Sequence, residues 1–115
     1  MAVNRHRGEV PAIIDGRERT LCLTLGALAE LEDAFAADSL AGLAERFGTG
    51  RLSARDLTRI LAAGLRGGGA DVSEAEMAAM RIDGGAAGAA TVAARLLAAA
   101  FGTPGEETEP APPNP

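Results

Sequence analysis

The sequence predicts an α+β fold: an N-terminal β-hairpin followed by a small bundle of four to five short helices. Three observations carry this expectation. Asp15-Gly16 stands between two short runs rich in apolar and β-branched residues, and Asp-Gly suits a type I′ turn, which needs positive φ at both central positions. From Thr24 onward the larger apolar residues recur at three- and four-residue spacing, which marks helix faces. Serine or threonine caps and glycine stops divide that stretch into short pieces.

The first strand is expected over residues 9–14, with Val10, Ile13 and Ile14 as its β-branched members. Pro11 has no N–H to give to a ladder, so this strand belongs at an edge. In the second strand, 17–23, Arg19, Leu21 and Leu23 alternate with Thr20, Cys22 and Thr24, which puts the leucines on one face. An exposed hairpin edge would leave pairing with a second copy open.

Thr24 caps the first expected helix, whose stripe is Leu25, Leu28, Leu31 and Phe35. A break over 36–38 precedes Ser39, the cap of a second helix reaching about Phe47, with Leu40, Leu43, Ala44 and Phe47 on one face. Gly48-Thr49-Gly50 closes it. Ser53-Ala54-Arg55-Asp56 is a variant capping box, with aspartate in place of the usual Glu or Gln. It opens a third helix carrying Leu57, Ile60, Leu61 and Leu65, and Gly67-Gly68-Gly69 reads as its stop and as a flexible linker. Ser73-Glu74-Ala75-Glu76 is a regular capping box for a short helix holding Met77 and Met80. After a turn at Asp83-Gly84-Gly85, an alanine-rich helix runs from about Ala86 to Phe101, with Gly88 at a close helix contact.

Three segments follow: a polar arm over 1–7, one domain over 8–102, and a disordered tail over 103–115. The tail holds five prolines and three of the five net negative charges, on Glu106, Glu107 and Glu109. Residues 1–102 together therefore carry a net charge of only −2. The whole chain's 47% apolar content leans on 26 alanines, which bury little area each, so the core should be thin and gain from a partner.

Composition also removes function classes. The net charge is −5, there is no Trp, Tyr or Lys, and the start of the chain is polar. A nucleic-acid binder usually shows a basic excess and stacking aromatics, so nucleic acid is not expected as a partner and a helix-turn-helix regulator is disfavoured. No apolar run is long enough to span a bilayer, and no leader segment opens the chain, which points to a cytoplasmic site of synthesis with no membrane role. One Cys and one His make a disulfide or a metal cluster improbable. His6, between Arg5 and Arg7, has no nucleophile or carboxylate placed to use it. Cys22 reads as a buried structural cysteine. Residues 64–69, Gly-Leu-Arg-Gly-Gly-Gly, lack the Gly-Lys-Ser/Thr ending of a phosphate loop and follow a helix. No enzyme and no cofactor is expected.

Arg55, Arg59 and Arg66 fall within about 40° of one another on a helix. They form either a solvated face or a docking stripe for an acidic partner. Met77 and Met80 either fill a core gap or offer an adaptable contact surface.

Several blocks resemble a known family. Arg5-His6-Arg7-Gly8-Glu9, the strand–Asp15-Gly16–strand unit and Leu23-Thr24-Leu25-Gly26-Ala27-Leu28-Ala29-Glu30-Leu31-Glu32 are similar to the small tail proteins of gene transfer agents. So are residues 52–57 and 64–69. These agents are the phage-like particles of alphaproteobacteria, and the resemblance covers about residues 3–102. The family is labelled a tail component or tail tube protein, and is also grouped with phage tail assembly chaperones. The resemblance implies no active site. It implies a role in building the tail, with the tape measure protein and the tail tube protein as partners. One hairpin is little strand for a ring-forming tube subunit, so the leading expectation is a chaperone that shields tape measure helices by helix-in-groove packing. The alternative is a tube or adaptor subunit retained in the particle. The expected contact residues are Leu43, Phe47, Met77, Met80 and Leu97 for apolar packing, and Arg55, Arg59 and Arg66 for charge.

Overall fold

The computed structural model describes residues 8–48 and 51–102. The expected arm with His6, Thr49-Gly50 and the acidic tail lie outside the described residues. Within them the order is β1 (Glu9–Ile14), β2 (Arg17–Cys22), α1 (Leu25–Ala34), α2 (Leu40–Gly48), α3 (Ala54–Gly67), α4 (Glu74–Ala78) and α5 (Gly85–Phe101). The α+β expectation holds: a two-stranded antiparallel hairpin followed by five helices.

The hairpin is set by its turn. Asp15 and Gly16 have φ of 53° and 78°, the positive pair a type I′ turn requires. Ile14 pairs with Arg17 across it, and the register runs back to Glu9 opposite Cys22. In a two-residue hairpin, alternate pairs counted from the turn exchange hydrogen bonds. Pro11, opposite Thr20, falls on a non-bonded pair, so its missing N–H costs the ladder nothing.

Neither edge of the hairpin is bare over its whole length. Asp15 donates its N–H to Arg81 O at 2.7 Å, and Asp83 donates to Ile13 O at 2.9 Å. The Asp15 carboxylate accepts the Arg81 N–H at 2.9 Å, and Ile14 bridges to Ile82. The turn end of β1 is thus covered by the segment entering α5.

The outer edge of β2 meets α3 through glycines. A Cβ on Gly67 would overlap the Cys22 carbonyl oxygen, and one on Gly68 the Thr20 carbonyl. A Cβ on Gly64 would stand 2.9 Å from Leu96 Cδ1 and 3.2 Å from Leu21. This corrects the reading of residues 64–69 as a stop with a flexible linker. The helix does end at Gly67, but three of its glycines form a close-packing surface. A side chain at any of them would push β2 or α5 away. Gly88 was expected at a helix contact; its close neighbour is instead the Asp83 carbonyl, in the turn that opens α5.

Helix starts follow the caps. Thr24 Oγ1 accepts the Ala27 N–H at 3.0 Å, and Ser39 Oγ accepts from Gly42 at 3.1 Å. Both capping boxes are reciprocal: Ser53 with Asp56 and Ser73 with Glu76. The variant aspartate therefore serves the same end as glutamate.

α3 is the central element and touches β2, α1, α4 and α5. Its run Ile60, Leu61, Ala62, Ala63, Gly64, Leu65 is wholly buried. Val10, Ala12, Ile14, Leu21 and Leu23 close the core from the hairpin side, and Leu28, Leu31 and Leu96 from the helices.

Three expectations about single residues change. Leu25 is 79% exposed. On a 100° wheel it lies about 110° from the mean direction of the buried Ala27, Leu28 and Leu31, and β2 ends before it, so neither period places it inside. Leu40 is 41% exposed; burial in α2 rests on Leu43 and Phe47, from the second turn onward. Cys22 is half-buried, because it points to the face opposite the buried Leu21, beside Gly8.

Candidate protein-contact surface

The expected site residues fall into three places. Leu43 is fully buried in the core. Phe47 and Leu97 are also buried, yet they floor a groove of about 520 Å³ between the end of α2 and α5, walled by Leu52 and Phe101. Met77 is buried and Met80 half-buried. They line a second groove of about 480 Å³ between α3, α4 and the start of α5, with Leu57 and Ile82.

The arginine stripe divides. Arg66 pairs with Glu30 and donates from Nη1 to Val72 O at 2.8 Å, so it ties α3 to α1 and to the loop before α4. Arg59 donates from Nη1 to Ala34 O at 3.3 Å, and its enclosed Nε stands 3.6 Å from Glu74. Both spend their charge within the molecule. Arg55 is exposed and has no ion pair among the described residues. Of the three, it is the one with its charge turned wholly to solvent.

An aromatic cluster that the sequence reading did not assemble holds α1, α2 and α3 together. The Phe35 and Phe47 rings meet edge to face, 5.0 Å apart at 87°. The guanidinium carbons of Arg46 and Arg59 stand 5.3 and 5.6 Å from the Phe35 centroid, within cation–π range. Arg46 also lies 3.6 Å from Asp56, the capping aspartate, which is 7% exposed. The signal was the pairing of Arg46 with Phe47 at the end of an amphipathic helix, but only the packing reveals Phe35 between two arginines.

The outer face of α5 was missed as well. Ala89, Val92, Ala93, Leu96 and Leu97 turn inward. The opposite arc carries Ala87, Ala90 and Ala94, all exposed, with Ala98 and Phe101 half-buried. Thr91 lies on the same arc, but its hydroxyl donates to Ala87 O at 3.0 Å. The one charge in this 17-residue helix is Arg95, at the border of the arc. A helix apolar on every side is normally buried on every side. Here one side adjoins the α2–α5 groove, lined by Ala90, Ala94 and Ala98. The absence of charge from 85 to 94 was the available signal.

Among the described residues, no group of three His, Cys, Asp or Glu side chains is placed to hold a metal, and no helix is long and apolar enough to cross a membrane. What the arrangement offers is apolar contact area, with Arg55 and Arg95 among the exposed cations.

No curated protein and no solved structure gives a significant match to the chain. A family model described as "Phage tail tube protein, GTA-gp10" matches residues 7–103. That span takes in every strand and helix described above, and the chain belongs to this phage tail tube, GTA-gp10 family.

Proposed function

We propose that this chain is a non-enzymatic component of a phage-like tail, a tube or adaptor subunit retained in the particle. The observation that carries the reading is the uncharged outer arc of α5 beside the α2–α5 groove, in a chain of a tail tube family. Leaving such a face in water forfeits roughly 25 cal/mol for each Å² a partner would cover. Phe47 and Leu97 are the contact residues at the groove floor. Met77 and Met80 offer a second contact in the neighbouring groove, and Arg55 a charged one at the start of α3. Leu43, Arg59 and Arg66 support these surfaces from inside. The partners on this reading are other tail proteins, the tube and tape measure proteins first among them.

A second reading, the tail assembly chaperone, is favoured by one observation. Among the described residues the sheet has two strands, little for a ring of stacked subunits. On this reading the same groove holds an amphipathic tape measure helix during assembly in the cytoplasm and then releases it.

Mass spectrometry of purified particles separates the two. Stoichiometric amounts of this chain support the retained subunit. Its absence from particles, together with loss of soluble tape measure protein when the chain is withheld from co-expression, overturns that reading in favour of the chaperone.

A further inference from the structure

The outer face of α5 is graded in size along the helix. On a 100° wheel Ala87, Ala94 and Phe101 fall within about 40° of one another, with Ala90 and Leu97 on one flank and Thr91 and Ala98 on the other. Positions 87, 90, 94, 97 and 101 alternate steps of three and four, the seam spacing of paired helices. The first three are alanine, and the last two are leucine and phenylalanine. Such a seam does not fit itself in parallel, because the two Phe101 rings would collide and hold the alanines apart. Reversed, it does. A two-fold axis crossing the helix at Ala94 sets Ala94 against its own copy, Ala87 against Phe101 of the other copy, and Ala90 against Leu97 of the other copy. We propose that the chain self-associates through this seam, as an antiparallel two-fold dimer.

Charge and area support a second copy as the occupant. The seam carries no charge, and the Thr91 hydroxyl beside it is already bonded to Ala87 O. Two copies therefore meet without burying an unpaired polar group. Arg95 lines the hairpin-side pocket of α5 and stays exposed, off the seam. An axis across the helix also keeps the α2 side of one copy over the α2 side of the other, so contact continues onto Leu52 and Phe101, the walls of the α2–α5 groove. A strip as long as α5, about 25 Å, and two helices wide, about 20 Å, covers ~500 Å² per copy. The total of ~1,000 Å² reaches the lower bound for a specific interface and falls short of a permanent dimer. The association is therefore transient, dissociated near about 10 µM and populated towards about 1 mM.

The proposal rests on the reading of the arc as a contact surface and names its occupant. Sedimentation velocity of the full chain should show monomer at about 10 µM and a rising dimer fraction up to about 1 mM. Ala94→Glu, at an exposed position on the axis, brings two carboxylates together and should weaken association by about tenfold or more, with the urea midpoint unchanged. Single cysteines in a Cys22→Ser background read the geometry. Under mild oxidation Ala94→Cys should form an intermolecular disulfide, which needs Cα atoms about 4–7 Å apart. Ala87→Cys should not, because its two copies stand about 21 Å apart along the antiparallel pair. A chain that stays monomeric at about 1 mM, or a dimer indifferent to Ala94→Glu, overturns the proposal. So does equal cross-linking at positions 87 and 94, the pattern of a parallel pair or of random collision. Even then, exclusion of an Ala90→Arg chain from tails would leave the functional reading of the arc standing. Conversely, a dimer whose Ala94→Glu variant enters particles at full stoichiometry would support the dimer and defeat that functional reading.

Discussion

α3 and α5 lie against each other in the core, yet they solve the burial problem differently. α3 is wholly buried around its middle, from Ile60 to Leu65, and carries Arg55, Arg59 and Arg66 on either side of that stretch along its length. Most of its neighbours are in the same chain: β2 at Gly67 and Gly68, Leu96 at Gly64, Glu74 for Arg59 and Glu30 for Arg66. α5 is apolar nearly all round, and the described residues cover one side of it. Contacts with four other elements make α3 the strut of the fold, whereas α5 is the helix on which the proposed contact surface lies.

That contrast can be broken by substitution. Leu96→Ala empties a fully buried position between the two helices, and should cost about 3–4 kcal/mol in urea unfolding. A value near zero would mean that α5 is not packed on α3. Gly67→Ala tests the strut from the other side, because its methyl group overlaps a β2 carbonyl. Strand and helix must then move apart, at about 2–3 kcal/mol; a neutral result would show that the contact is loose. Ser53→Ala removes the cap of α3 and orphans the Asp56 N–H, for about 1 kcal/mol, read as a lower urea midpoint with the same slope. Ala90→Arg sharpens the comparison most. It should change stability by less than about 0.5 kcal/mol, as exposed positions do. On the functional reading, it should also exclude the chain from assembled tails, scored by mass spectrometry. A large loss of stability would instead make the outer arc part of the core.

Local features were readable in advance for a local reason. The Asp15-Gly16 turn and the caps at Thr24, Ser39, Ser53 and Ser73 depend on residues within three or four positions of one another. No distant partner is needed to satisfy them. Leu25 and Leu40 show where that logic stops, since helical spacing says which residues share a face but not how far along the helix its partner extends. The candidate contact residues show the same divide. Phe47, Leu97, Met77 and Met80 were singled out from helix faces, and the fold brings them to two grooves that α5 helps to line. Arg59 and Arg66 were grouped with Arg55 by angle alone, and the groups facing them, Glu74 and Glu30, lie on other elements.

The sequence by itself determined the α+β class, the hairpin turn and the capped starts of four helices. It also carried the resemblance to a tail family, because order and short motifs survive without knowledge of packing. Only the tertiary structure decided what the glycines at 64, 67 and 68 are for, which arginine charges are neutralised within the chain, and which side of the alanine-rich α5 the described residues leave exposed. Those are properties of pairs distant in sequence. Their energies depend on approach distance and burial, which no single stretch of the chain contains.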